Sequence, residues 1–179
     1  GWAARRPLLT AATAGGAKYI GCDVLVQHCE GQERLDRRRV GAFAAFGTFY
    51  AGGVQYLLFN RLLPWCLPLL KEGGRRAPAS VVAATGVDVF VHMPFFYLPT
   101  FYTIRELAFR PDTPSKVLAN AWAHYREGFG SDARTSLVIF GPIQLLNFGF
   151  SPTHLRVPVL LASGLLWTAI LSTRRGRVQ

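Results

Sequence analysis

Phe140-Gly141-Pro142-Ile143-Gln144-Leu145-Leu146-Asn147-Phe148-Gly149-Phe150 places a proline, a glutamine and an asparagine inside a continuous apolar stretch. An amide side chain in a lipid-facing or core helix is costly unless it finds a partner. Gln144 and Asn147 are three residues apart, so a helix puts them on one face, and Pro142 removes a backbone donor just before them. A polar seam is built into a hydrophobic element.

The rest of the chain is organised in the same way. Of its 179 residues 50% are hydrophobic and 17% charged, a charged fraction below that of ordinary soluble domains. The charges collect at Arg5 and Arg6, from Glu30 to Arg39, from Lys71 to Arg76, from Arg105 to Arg134 and from Arg174 to Arg177. Apolar stretches of roughly membrane-spanning length separate these clusters: 8–28, 40–63, 79–104, 135–150 and 155–172. Residues 1–179 therefore read as a single membrane domain. The fold class is all-α, a polytopic integral membrane helix bundle with four or five membrane-embedded helices. A soluble helical protein would alternate apolar and charged faces every three to four residues, and these stretches do not.

Polar groups interrupt the stretches at Lys18, Asp23, Gln27, Gln55, Asp88, His92, Gln144 and Asn147. An ionisable group within a span must face a cavity or a partner, which makes these eight the candidates for a wet interior. Lys18 and Asp23 are five apart and point in different directions on a helix. Static pairing of Lys18 with Asp88, or with Asp23 of a neighbouring span, is the competing expectation. Small residues at Ala14 to Ala17, at Gly41, Gly47, Ala51, Gly52 and Gly53, and at Ala83, Ala84 and Gly86 suit close helix packing in lipid.

The net charge of +10 invites nucleic-acid binding, and its distribution argues against it. The basic residues flank apolar segments, as membrane anchors do, and no run interleaves them with exposed aromatics. The expected partners are the lipid bilayer and other membrane subunits, with no nucleic acid. Between Pro111 and Asp132, the spacing of Val117, Leu118, Ala121, Trp122 and Tyr125 predicts an interfacial amphipathic helix near 114–128, whose apolar face could also meet a partner protein. The run holding Glu30, Glu33, Asp36, Arg34, Arg37 and Arg38 reads as a solvated helix face. Cys22, Cys29 and Cys66 read as small buried hydrophobes. His28, His92, His124 and His154 are scattered, and no metal site or cofactor is expected, bound lipid or pigment apart if the chain joins a complex. No phosphate loop, carboxylate pair or hydrolase motif is present, so no enzymatic activity is expected.

The motif around Gln144 extends through Phe148, Pro152, Arg156, Trp167 and Leu171-Ser172. This run resembles the C-terminal signature of the family of the twenty-two-kilodalton peroxisomal membrane protein and its mitochondrial inner-membrane relative, the Mpv protein. Upstream the resemblance continues through Asp23, Gln27, Asp36 and Arg39, the paired Gly47 and Gly52, and Asp88 with Pro94, and so covers nearly the whole chain. Gly141 stands where the family usually has Trp, Gly53 where it has Pro, Tyr56 where His is common, Leu58-Phe59 where it has Trp-Tyr and Val89 where it has Gln. The resemblance implies a small, weakly selective channel or a regulator of solute passage and organelle homeostasis. The alternative is an accessory structural subunit of a larger respiratory or photosynthetic membrane complex. With Arg5 and Arg6 near the start, a processed organellar protein is expected, in the mitochondrial inner membrane first and in peroxisomal or plastid membranes as alternatives.

Overall fold

A computed structural model describes residues 2–68 and 77–175, with side chains described for 4–68 and 77–165. Every regular element among the described residues is helical. After a short turn at Trp2–Arg5, α1 runs over Pro7–Cys29, α2 over Arg37–Cys66, α3 over Pro78–Phe109, α4 over Pro114–Phe150 and α5 over Arg156–Arg175. The chain divides into two compact units. Unit 1 gathers Gly1–Phe59 with His154–Gln179, and unit 2 is Asn60–Thr153.

Local chemistry sets the helix ends. Pro7, Pro78 and Pro114 occupy first-turn positions, where the missing N–H costs nothing. Gly31, at φ 73°, turns the chain out of α1. Asp36 then caps α2, its Oδ1 accepting from the backbone N–H of Arg38 at 2.9 Å and of Arg39 at 3.1 Å. The segment from Glu30 to Asp36 is thus a loop with a capping carboxylate, where a solvated helix face was expected.

In unit 1, α1 and α2 approach backbone to backbone. A Cβ on Gly15 would overlap the Gly47 carbonyl oxygen, and one on Gly47 would overlap that of Gly15. Tyr19 meets Phe46 edge-on at 5.0 Å beside this contact. Gly41 and Gly86, also expected at helix contacts, have no such neighbour within 4 Å. α2 widens to i→i+5 turns over Phe46–Val54 and Leu58–Leu62. α3 does the same over Asp88–Tyr97, the segment that holds Pro94 and so lacks one donor for the ordinary ladder.

Unit 2 is built on α3 and α4. The buried positions of α4, Val117, Ala121, Tyr125, Gly128, Asp132, Ser136, Phe140, Gln144 and Asn147, recur every three or four residues along its length. The interfacial helix expected at 114–128 and the span expected at 135–150 are therefore one uninterrupted helix. Between them the polar residues of 127–134 keep good helical spacing, and Asp132 turns inward.

Among the described residues two helices, α2 and α3, are long and apolar enough to cross a membrane. The four or five crossings expected from sequence are not reached by that measure. Lys18 and Asp23 dilute α1, and the apolar part of α4 is short and carries Gln144 and Asn147. Cys29 and Cys66 are exposed and Cys22 half-buried, so the cysteines are not the buried hydrophobes expected.

Candidate polar seam within the helices

The eight polar candidates separate into distinct groups. Asp88, His92, Gln144 and Asn147 come together in unit 2, where α3 meets α4. Gln144 Nε2 donates to Asp88 Oδ2 at 2.6 Å, and Asn147 Nδ2 donates to Gln144 Oε1 at 3.1 Å. His92 Nδ1 lies 2.7 Å from Asp88 Oδ1, one turn along the same helix. Asp88 is 2% exposed and Gln144 fully buried, and each donor to a charged group in such surroundings contributes more than a neutral one. The polar face predicted from the three-residue spacing exists, and it is directed at a carboxylate 56 residues away in sequence.

The seam extends beyond the residues that sequence singled out. Tyr102 Oη donates to Asp132 Oδ2 at 2.6 Å, both buried. Tyr125 Oη donates to the Pro94 carbonyl at 3.0 Å, and burial raises this phenol above its ordinary pKa, keeping it a donor. Glu106 is buried, with Asn120 Nδ2 at 3.3 Å and His124 Nδ1 at 3.3 Å. Glu106 and Asp132 lie in the charge cluster from Arg105 to Arg134 and were not among the candidates. The hydroxyls of Thr85 and Ser136 are also buried there without a hydrogen-bond partner.

In unit 1, Asp23 and Gln27 form a different cluster. Asp23 Oδ1 accepts from Arg39 Nε at 2.6 Å and its Oδ2 from Gln27 Nε2 at 2.7 Å. Arg39 Nη1 reaches Glu30 at 2.7 Å, and Gln27 Oε1 accepts the Asp36 backbone N–H at 2.7 Å. The group bolts the α1–α2 hairpin at its loop end. Lys18 pairs with neither Asp23 nor Asp88, as had been expected. Its Nζ lies 4.6 Å from the centre of the Tyr19 ring and abuts Gly164 of α5. Gln55 is buried in α2.

Of the motif residues, Arg156 is fully buried, and its Nη1 donates to the Phe59 carbonyl at 3.1 Å within unit 1. That contact meets a carbonyl in one of the widened turns of α2. Phe148 is fully buried and Pro94 nearly so, whereas Pro142 and Pro152 are exposed. The side chain of Trp167 lies outside the described residues.

These residues connect the chain to known proteins. A family profile described as "Mpv17 / PMP22 family" matches residues 115–172, which include Gln144, Asn147 and Arg156. Over those residues the chain is similar to that family. It is similar over almost its full length to the "Mitochondrial inner membrane protein Mpv17" of Caenorhabditis briggsae, 26% identical over 94% of this chain and 86% of that protein. "Protein sym1" of Aspergillus oryzae is 27% identical over 94% of this chain and 91% of its own length. "Protein SYM1" of Debaryomyces hansenii is 23% identical over 95% and 83%. No solved structure matches the chain.

Proposed function

We propose that this protein, as a member of the Mpv17 / PMP22 family, acts without enzymatic chemistry as a weakly selective path for small polar solutes across the mitochondrial inner membrane, or as a regulator of such a path, organised along the α3–α4 seam. One observation supports this most directly. A carboxylate, Asp88, stands in the middle of a helix apolar enough to span a membrane, held by an imidazole and an amide rather than by a fixed cation on its own element. Ionisable groups so placed mark solute routes by default. Purified protein reconstituted in a planar bilayer should conduct, and Asp88→Ala and Gln144→Ala should abolish the conductance. Purified, folded protein that carries no current would sink the reading.

A second reading is an accessory subunit of a larger inner-membrane complex. It is favoured by the closed character of the Asp23 cluster, in which the amide, carboxylate and guanidinium groups satisfy one another. Purification of the chain only together with other subunits would favour this second role.

A further inference from the structure

Two nucleophiles of α1 stand one turn apart. Lys18 and Cys22 are four residues apart, a spacing that brings their Cβ atoms within about 6 Å on one helix face. Both are half-buried. Lys18 Nζ is close enough to the Cys22 thiol to interact with it electrostatically, and it also rests on the Tyr19 ring and Gly164. Asp23, the carboxylate next along α1, is taken up by Arg39 and Gln27. The amine is thus set against a thiol and an aromatic face. The other two cysteines lack this arrangement: Cys29 and Cys66 are exposed, and the residue one turn before each is a leucine, Leu25 and Leu62.

The pair is reached from the flank of its own helix. Ala17 and Gly21 are exposed, and nothing lies within 4 Å of where a Cβ on Gly21 would stand. Ile20 and Leu25 are exposed beside them, so this flank of α1 is small and apolar and faces lipid. A reagent that meets Lys18 and Cys22 there is one that dissolves in the bilayer.

We propose that Lys18 and Cys22 form a covalent capture site for α,β-unsaturated aldehydes, the class of electrophile released when membrane lipid chains are peroxidised. Such an aldehyde has two electrophilic carbons, the β-carbon and the carbonyl carbon, and the site supplies one nucleophile for each. The Cys22 sulfur bonds to the β-carbon while its proton passes to Lys18 Nζ. The α-carbon of the resulting enolate takes that proton back, which restores the aldehyde and leaves Nζ as a neutral amine beside it. Nζ then adds to the carbonyl carbon, and the carbinolamine loses water to give an imine. One thiol, one amine and one unsaturated aldehyde become a three-carbon thioether–imine bridge and one water, with no oxidant or reductant consumed. The site lies in unit 1 and is independent of the α3–α4 seam.

The test treats the full chain in phosphatidylcholine–cardiolipin vesicles with trans-nonenal, fixes imines with borohydride and maps the peptides by mass spectrometry. Lys18 and Cys22 should be found linked, in a product lighter by one water than the open thiol adduct. Cys29 and Cys66 should carry only open adducts, whose aldehydes, before reduction, are labelled by a hydrazide. Lys18→Arg keeps a cation but supplies neither base nor amine. It should slow addition at Cys22 about a hundredfold, the lower end of what a positioned base contributes, and leave any adduct there open to the hydrazide. Lys18→Met should do the same without the bulk of the guanidinium. Cys22→Ser should leave Lys18 unmodified. Unchanged rates at Cys29 and Cys66 show that each variant keeps its fold. An open adduct at Cys22 in the unsubstituted protein, a Cys22 rate indifferent to both Lys18 variants, or reaction confined to Cys29 and Cys66 would each overturn the proposal.

Discussion

Gly15, Gly47 and Gly52 allow the packing of α1 on α2 to be measured by adding one methyl group. A Cβ at Gly15 would overlap the Gly47 carbonyl and stand 3.0 Å from the Gly52 nitrogen. At Gly52 it would stand 2.7 Å from the Ala11 carbonyl oxygen and 2.8 Å from the Ala12 nitrogen. These neighbours are backbone atoms and cannot rotate aside, so the helices must part. Overpacking of this kind costs about 1–3 kcal/mol, against a gain of up to about 1 kcal/mol in helix propensity from Gly→Ala. At Gly21 and Gly41 nothing lies within 4 Å of the same methyl, and only the gain applies. Gly15→Ala, Gly47→Ala and Gly52→Ala should therefore destabilise, while Gly21→Ala and Gly41→Ala are neutral or stabilising, the two sets differing by about 2 kcal/mol. Gly15→Ala combined with Gly47→Ala should lose less than the sum, because one separation of the helices relieves both clashes. Equilibrium unfolding of each variant in bicelles measures the difference. Equal shifts for Gly41→Ala and Gly47→Ala would refute the backbone contact.

Two further predictions concern the buried polar groups. Arg39→Met strips Asp23 of its cation and should cost about 3–5 kcal/mol, whereas Asp23→Leu together with Arg39→Met should recover much of that loss; bicelle unfolding reads both, and an additive double variant would contradict the ion pair. Thr85 buries a hydroxyl without a partner, so Thr85→Val should be neutral or stabilising by up to about 1 kcal/mol in the same assay, and a clear loss would mean that the hydroxyl holds a partner in the membrane.

Helix content and helix ends were legible in the sequence because they are local properties. The apolar runs between charge clusters place α1, α2, α3 and α5 within a few residues of where they lie. The face shared by Gln144 and Asn147 was legible for the same reason, as it follows from helical period alone. What Gln144 touches was not legible, since Asp88 is 56 residues away and several carboxylates had equal standing as partners. The same ambiguity paired Lys18 with an aspartate, when Arg39 holds Asp23 and Lys18 rests on an aromatic ring and a glycine. The continuity of α4 was hidden by charge. Residues such as Glu127 and Arg134 mark the end of an apolar stretch, but they do not end a helix.

Arg156 carries a consequence for the order in which the molecule matures. Its bond to the Phe59 carbonyl closes a loop of 97 residues, and unit 1 is assembled from two segments that unit 2 separates in sequence. A polypeptide threaded from its N-terminus delivers α1 and α2 first and α5 last. Unit 2 can finish packing as soon as α4 has emerged, while the earlier-made hairpin waits with Lys18 and the Phe59 carbonyl still lacking what α5 brings. The completion of unit 1 is timed by α5, and until it arrives the α1–α2 hairpin is the part of unit 1 most open to quality-control proteolysis.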